Sequence, residues 1–324
     1  MFIRKMALAG AGALALLSAG IGAATAGDMV TVDVTAIVQH PALDAARDGV
    51  KKALEDAGYK EGTNLTFHYE SAQGNPATAT QIAQKFAGEN PSVIVAIATP
   101  SAQAVAATTQ DIPVVFTAVT DPVGAQIVKD LDKPGGNITG VSDMSPLADH
   151  LKLIQQIVPS AKKIGVPYNP GEANAVTLLN ALKKMAPTYG VTVVEAPATK
   201  SSEVQGAAQS LVGKVDVIYV PTDNTIVSAL EAVIAVGKEN KLPVFSGDTD
   251  SVTRGTIASI GFDYFQVGLQ TGKVVARVLK GEKPGDIAVQ NASGTDLFVN
   301  PKAAEAMGVT IPDALIKQAK KVVE

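Results

Sequence analysis

The sequence predicts an α/β protein built from two doubly wound parallel-sheet lobes. Short apolar runs rich in Val and Ile alternate with longer stretches of helical period from Val30 onward, which is the pattern of a repeated βα unit. The alternation stops at the turn-rich segment 133–137 and starts again at Leu151. Without the leader described below, about 300 residues remain, a natural length for two domains of about 150 residues each.

The predicted elements follow this alternation through both halves. In the first half we expect strands at 30–38, 65–69, 93–97, 114–118 and 138–141, and helices at 43–57, 77–87 and 102–108. In the second half we expect helices at 151–158, 173–189, 203–211 and 225–239, and strands at 163–166, 191–195, 215–220 and 243–245. Both halves therefore predict a parallel sheet covered by helices.

The trailing elements are too few to form a third domain. They are predicted as strands 256–260 and 287–289, a helix 265–279 and two short terminal helices. If they return to complete the earlier sheets, the chain crosses between the lobes several times and leaves a hinged cleft between them. The predicted boundaries are 27–142 and 250–281 for lobe 1, and 143–249 and 282–324 for lobe 2.

The first 26 residues have the three regions of a secretory signal peptide. Arg4 and Lys5 precede an apolar run from Met6 to Ala24, and the segment 24–26 reads Ala-Thr-Ala, a small-x-small cleavage site. Cleavage after Ala26 predicts a periplasmic protein. An uncleaved membrane anchor is the alternative, but the run is dominated by Ala and Gly and is barely long enough to span a bilayer.

Composition excludes several classes of partner and site. The chain contains no Cys, which excludes disulfides, thiolate metal sites and the lipid-attachment Cys of a lipoprotein. Its 27 basic and 31 acidic residues give a net charge of -4 without clusters of either sign, which argues against nucleic-acid binding. The three histidines lack metal-ligand spacing, so we expect no metal site, and without a phosphate-binding glycine motif we expect no cofactor.

The candidate binding residues lie in the loops that follow the predicted strands, because ligands of parallel α/β sheets bind beyond the carboxyl ends of the strands. These loops supply hydroxyl, amide, imidazole, phenol and carboxylate groups: Gln39, His40, Thr99, Ser101, Asp121, Tyr168, Asn174, Thr222, Asn224 and Asp248. Thr99, Asp121 and Asn224 are also good helix caps, so capping alone would explain each of them. The convergence of six polar loops on one edge favours a binding site with helix N-termini open to an anion.

Five long segments resemble one family of binding proteins. They read ATPSAQ at 98–103, PVVFTAVTDPVGA at 113–125, PGGNITGVS at 134–142, YNPGEAN at 168–174 and VPTDNT at 220–225. They are similar to the periplasmic substrate-binding components of ABC transporters in the tryptophan/tyrosine-type branch. The resemblance implies a type I periplasmic binding protein fold, with two lobes joined by three strands, and a small amino acid or carboxylate ligand that is aromatic in many members. It also implies a membrane permease as partner.

We assign roles to the candidate residues from their loop positions. We expect Thr99, Ser101 and the following N–H groups to hold the ligand carboxylate, and Asn174, Thr222 and Asn224 to contact it from lobe 2. Asp248 and Asp121 would pair with an ammonium group, and Gln39 and His40 would line the side-chain pocket. With no Trp in the chain, the aromatic residues available to face a ligand ring are Phe116, Tyr168, Tyr264 and His40.

Two other functions remain open at this point. A secreted hydrolase or lyase would use Asp248 or Asp250 as general acid or base, although no nucleophile-elbow motif accompanies them. A receptor that reports ligand occupancy to a chemosensor would have the same binding loops. We expect a monomeric solute-binding protein rather than an enzyme.

Overall fold

The computed structural model describes residues 29–323, so the predicted signal peptide lies outside the described residues. The strands are β1 Val30–Ala36, β2 Leu65–Ser71, β3 Val93–Ile97, β4 Val114–Val119, β5 Ile138–Ser142, β6 Lys163–Tyr168, β7 Thr192–Pro197, β8 Val217–Val220, β9 Val244–Ser246, β10 Ala258–Gly261, β11 Gln290–Asn291, β12 Asp296–Val299 and β13 Lys321–Val322. The α-helices are α1 Pro41–Asp56, α2 Pro76–Glu89, α3 Thr99–Thr108, α4 Leu147–Ile157, α5 Ala173–Met185, α6 Val204–Leu211, α7 Asn224–Ser228, α8 Leu230–Glu239, α9 Asp250–Arg254, α10 Tyr264–Leu279, α11 Pro301–Ala306 and α12 Asp313–Gln318. Between Met29 and Val323, no helix has both the length and the apolar character needed to cross a membrane.

Lobe 1 contains a six-stranded sheet in the order β11-β5-β4-β3-β1-β2, and all its neighbouring strands are parallel. The central strand β3 is buried along its entire length, as the continuous apolar run of a doubly covered parallel strand requires. Pro41 and Pro76 lie in the first turns of α1 and α2, where their missing N–H groups leave no helical hydrogen bond unmade.

Lobe 2 contains a four-stranded parallel sheet in the order β7-β6-β8-β9 and a second sheet in the order β10-β12-β13. Strand β10 pairs antiparallel with β12, which pairs parallel with β13. The predicted helix 225–239 is divided into α7 and α8, because Ala229 between them has a non-helical backbone conformation. The two lobes with parallel sheets confirm the predicted fold class.

Three connections join the lobes, between β5 and α4, between β10 and α10, and between β11 and β12. Helix α10 packs so closely on α1 that a Cβ atom on Gly268 would lie 2.1 Å from the Ala46 carbonyl oxygen, and this contact holds α10 in lobe 1. Two segments lie in the lobe opposite to the one that we predicted for them. Residues 250–261 belong to lobe 2, where Ala258 joins the core, and residues 282–291 belong to lobe 1, where β11 pairs with β5.

Candidate functional site

A narrow cavity of about 20 Å³ lies between the lobes, beyond the carboxyl ends of the strands. This volume is room for about one water molecule, so the lobes must move apart to admit a ligand of amino-acid size. The polar lining of the cavity contains four of the predicted binding residues together with a tyrosine: His40 and Tyr264 from lobe 1, and Thr222, Asn224 and Asp248 from lobe 2. Ala42, Leu43 and Val227 supply the apolar part of the wall.

The junction between β3 and α3 presents two buried hydroxyl groups. Thr99 and Ser101 belong to the first turn of α3, and both side chains are fully buried. Neither hydroxyl has a hydrogen-bond partner within the described residues. The alternative that Thr99 is only a helix cap is wrong, because the N-cap residue is Ala98 and the helix already includes Thr99. Neither residue is among those that line the cavity.

The backbone at this junction is strained. Ala98 has φ 73° and ψ 154°, a conformation that residues with a Cβ atom rarely adopt. Its N–H donates to the Thr117 carbonyl of β4 at 2.9 Å, and its carbonyl accepts the first helical hydrogen bond, from Ala102. Ala118 in β4 also has a positive φ, 55°, where the pairing of β4 with β5 shifts register. Such outliers concentrate at functional sites, and the sequence gives no signal for them.

On the lobe 2 side, the carboxylate of Glu172 organises the loops. It accepts hydrogen bonds from the backbone N–H groups of Asn224 and Thr225 at 3.1 and 3.0 Å, and from the Thr225 hydroxyl at 2.7 Å. The Asn174 side-chain amide donates to Glu172 and to the Thr222 carbonyl, while its Oδ1 atom has no partner in the part of the chain that is described. Glu172 was not among the predicted binding residues, although it falls within the YNPGEAN segment.

The neighbouring carboxylate Asp223 has a structural role. Its side chain accepts from the backbone N–H of Ile226 at 3.0 Å, which caps α7, and from the backbone N–H of Asn169. Burial and the nearby negative charge of Glu172 raise the pKa of Asp223 well above its usual value. Asp223 and Glu172 together fix the loops that carry Asn174 and Asn224.

His40 and Asn224 meet across the cavity from opposite lobes. Burial, together with the positive charge of Arg254, lowers the pKa of His40 to about 3, while the neighbouring Asn224 side chain acts in the opposite direction. The His40 imidazole is therefore neutral at physiological pH. Among residues 29–323 its Nδ1 atom has no hydrogen-bond partner.

The two aspartates assigned to an ammonium group differ in position. Asp248 lines the cavity, but its two carboxylate oxygens already accept from the Ser251 backbone N–H at 2.8 Å and from the Ser251 hydroxyl at 2.6 Å. Burial raises its pKa. Asp121 lies outside the cavity lining, and its Oδ1 atom accepts from the Gly124 backbone N–H at 2.8 Å, which closes a turn. This contact is the one expected if Asp121 is a structural cap, which was the alternative to its binding role.

Three further candidates face away from the cavity. The Tyr168 hydroxyl donates to Glu195 at 3.0 Å at the edge of the lobe 2 sheet. Gln39 is exposed and accepts a hydrogen bond from Gln73 at 3.3 Å. Phe116 is fully buried in the lobe 1 core. The position of these residues in the sequence indicated that they lie near the loops around the cavity. It did not indicate the direction in which each side chain points.

Of the four aromatic candidates, His40 and Tyr264 alone line the cavity. The Tyr264 hydroxyl donates to the buried carboxylate of Asp143 at 2.6 Å, and the Thr120 hydroxyl donates to the same carboxylate at 3.3 Å. Asp143 lies in the first connection between the lobes and Tyr264 directly follows the second. The cavity wall is thus hydrogen-bonded to the hinge.

Comparison with known proteins agrees with this fold. Residues 31–323 match the family model described as ABC transporter substrate binding protein. A tyrosine-binding protein of Clostridioides difficile strain R20291 is 44% identical over 276 residues, which cover 85% of this chain and 80% of the relative. The family match spans nearly all of the described residues.

Two solved structures show the same architecture. An ABC domain from Streptococcus pneumonia in complex with L-Trp is 35% identical, covers 91% of this chain and 100% of its own, and superimposes with a TM-score of 0.88. The ligand-free, open structure of a substrate-binding protein with adhesive properties from Clostridium difficile is 41% identical, covers 91% of this chain and 99% of its own, and has a TM-score of 0.69. The chain belongs to the family of ABC transporter substrate-binding proteins.

Proposed function

We propose that this protein binds an aromatic L-amino acid in the cavity between its lobes and delivers it to the permease of an ABC transporter. The observation that carries the proposal is a set of buried polar atoms without partners in the loops and first helical turns that follow the strands. Within residues 29–323 seven buried side-chain atoms lack a hydrogen-bond partner, and four of them belong to predicted binding residues: His40, Thr99, Ser101 and Asn174. Since an unsatisfied buried polar atom costs about 1–3 kcal/mol, this arrangement favours a ligand that supplies the missing hydrogen bonds.

The first turn of α3 suits the carboxylate of the ligand. Two hydroxyl donors, from Thr99 and Ser101, lie at the positive end of a ten-residue helix, where backbone N–H groups are also free of helical partners. From lobe 2, the Oδ1 atom of Asn174 is a hydrogen-bond acceptor, and Asp248 adds negative charge at the cavity wall when it is ionised. An acceptor and a carboxylate suit the ammonium group of an amino acid.

The aromatic preference rests on the cavity wall and on the relatives. Tyr264 and the neutral imidazole of His40 offer flat surfaces, and Leu43 and Val227 offer apolar contacts. One relative is named a tyrosine-binding protein, and one solved relative contains bound L-Trp.

Calorimetric titration tests the ligand class. We expect L-Trp, L-Tyr or L-Phe to bind with 1:1 stoichiometry, and L-Leu and L-Asp to bind much more weakly. The amide of the best ligand should bind at least about tenfold more weakly, because it lacks the charge that strengthens a hydrogen bond to the α3 turn. Equal affinity for the acid and its amide would contradict the carboxylate assignment, and absence of heat with all three aromatic amino acids would contradict the ligand class.

Members of this family bind their substrates outside the cytoplasm, and binding rather than catalysis is their shared activity. The predicted signal peptide, with its cleavage site after Ala26, supports export of the protein to the periplasm. N-terminal sequencing of protein from the periplasmic fraction should give Gly27 as the first residue, and an intact Met1 would contradict this. Mass spectrometry of the ligand after prolonged incubation should show it unchanged, whereas conversion would favour the hydrolase alternative with Asp248 or Asp250.

A further inference from the structure

A second group of potential ligand atoms lies in lobe 1, away from the cleft. Asp33 in β1 and His68 in β2 are in register on neighbouring parallel strands, so their side chains leave the same face of the sheet. Glu89, the last residue of α2, reaches this face. One ligand atom from each of the three residues lies within 4.8 Å of the other two.

Asp33 is the buried member of this group. Its side chain is almost fully buried, and its Oδ2 atom has no hydrogen-bond partner among the described residues. Its Oδ1 atom lies 3.7 Å from His68 Nδ1, so the carboxylate faces the group. A carboxylate oxygen buried without a donor is costly unless a cation or a proton occupies it.

The surrounding groups hold His68 in place. Its ring packs edge-on against Phe86 with 5.4 Å between the ring centroids, and its Nε2 atom lies 3.2 Å from Glu70 Oε1. Such a carboxylate partner on the second ring nitrogen is the usual support of a metal-bound histidine. Lys85 pairs with Glu70, and its Nζ atom lies 3.9 Å from Glu89, so its ammonium is the local charge that opposes a cation.

We propose that Asp33, His68 and Glu89 form a binding site for a divalent transition-metal ion of the Zn²⁺ class. One imidazole nitrogen and two carboxylate oxygens are a ligand set that suits Zn²⁺ and leaves a fourth position for water. Bonds of about 2.0–2.2 Å require ligand atoms about 3.4 Å apart. Glu89 is exposed at the end of α2, and its side chain would have to move closer by about 1 Å to complete the site.

This site is separate from the amino-acid cavity. Asp33 lies three residues before the end of β1, about 10 Å along the strand from the cleft edge. Helix α2 runs from Pro76, beside the cleft, to Glu89, which is about 20 Å further along its axis. A metal ion here links the last turn of α2 to the edge strand β2 and to β1, and it stabilises lobe 1 without contact with the amino acid.

Titration of chelator-treated full-length mature protein with ZnCl2 tests the proposal. We expect one Zn²⁺ per chain, a higher melting temperature with Zn²⁺, and unchanged affinity for the amino acid. Glu89→Gln and His68→Gln should each weaken Zn²⁺ binding at least about tenfold, and Lys85→Gln should strengthen it severalfold because an opposing charge is removed. Glu239→Gln, an exposed change in lobe 2, is the matched control and should bind as the unmodified protein does.

Glu89 is exposed, so its substitution keeps the test valid if the His68 variant does not fold. Absence of Zn²⁺ binding by the unmodified protein would overturn the proposal. Zn²⁺ binding that Glu89→Gln and His68→Gln both leave unchanged would overturn it as well, because the ion would then occupy another place. Neither result would affect the amino-acid proposal, which depends on the titration with amino acids.

Discussion

The hydroxyl of Ser101 gives the most direct test of the binding site at the scale of a single residue. It is buried at the start of α3 without a partner in residues 29–323, so Ser101→Ala should leave the stability of the ligand-free protein unchanged or slightly higher. Loss of one charge-assisted hydrogen bond should lower amino-acid affinity about tenfold to a hundredfold, or about 1.5–3 kcal/mol. Calorimetry and thermal unfolding measure the two effects.

Ser210→Ala is the control, since Ser210 lies on α6 and its hydroxyl donates only within that helix, to Ala207. Its amino-acid affinity should match that of the unmodified protein. Thr99→Ala should behave as Ser101→Ala does and should not show the loss of about 1 kcal/mol that a removed N-cap causes, because Thr99 is not the cap. Normal binding by both α3 variants would remove this turn from the site.

At the scale of an element, the β3–α3 junction combines strain with function. Ala98→Gly should relieve a backbone conformation that costs about 1–3 kcal/mol, against an entropic cost of about 0.5–1 kcal/mol for glycine. We therefore expect a stability gain of about 1 kcal/mol in urea unfolding. Amino-acid affinity should fall, because the more flexible junction holds Thr99 and Ser101 less firmly.

Ala106→Gly, in the interior of the same helix, should instead lose about 1 kcal/mol, as glycine does at ordinary helical positions. The opposite signs at positions 98 and 106 separate backbone strain from a general effect of glycine. If both variants lose stability equally, Ala98 is not strained in solution.

Helix α4 is tied to two strands of lobe 2 by His150. Its Nδ1 atom is 2.7 Å from the Tyr219 hydroxyl of β8, and Nε2 contacts the Ile260 carbonyl of β10. Burial lowers the pKa of His150 to about 4, from an ordinary value near 6.5. The unfolded chain therefore binds more protons than the folded protein between these values, and stability is lost as the pH falls through this window.

Urea unfolding between pH 7.5 and pH 4 measures this effect in the unmodified protein and in His150→Gln. The unmodified protein should lose about 3 kcal/mol more than the variant over this range, because the shift spans about 2.5 pH units at about 1.4 kcal/mol each. The carboxylates titrate in both proteins and largely cancel in the difference. Parallel stability curves would mean that His150 is already charged in the folded state.

At the scale of the whole molecule, we expect the ligand to change the angle between the lobes. The structure resembles the L-Trp complex more closely than the open, ligand-free relative, although the open relative has the higher sequence identity. The hydrogen bond between Tyr264 and Asp143 links the cavity wall to two of the three connections. We therefore expect the ligand to stabilise a closed arrangement of the lobes.

Small-angle scattering with and without L-Trp should show a smaller radius of gyration in the bound state. A ligand concentration of 100 times Kd should also stabilise the folded protein by about 2.7 kcal/mol, seen as a higher melting temperature. Ser101→Ala at the same ligand concentration is the control and should show a smaller gain in stability. Identical scattering profiles for free and saturated protein would contradict closure.

The sequence by itself determined the two-lobed α/β fold and most of its elements. The period of the apolar residues and the turn residues are local properties, so 93–97 was predicted as a strand and is β3 over the same residues. The family was also evident from long contiguous segments such as PVVFTAVTDPVGA. The sequence indicated as well which loops surround the cleft, because the carboxyl ends of parallel strands lie on one side of a sheet.

Only the tertiary structure decided the pairings between distant parts of the chain. The Thr139 hydroxyl donates to the Ile287 carbonyl 148 residues later, one of the contacts that hold residues 282–291 in lobe 1. The direction of each side chain also depended on the tertiary structure. The Tyr168 hydroxyl points to Glu195, and Glu172 accepts a hydrogen bond from Asn224 of another loop. Such contacts are set by packing and register across the fold, and no local pattern of residues encodes them.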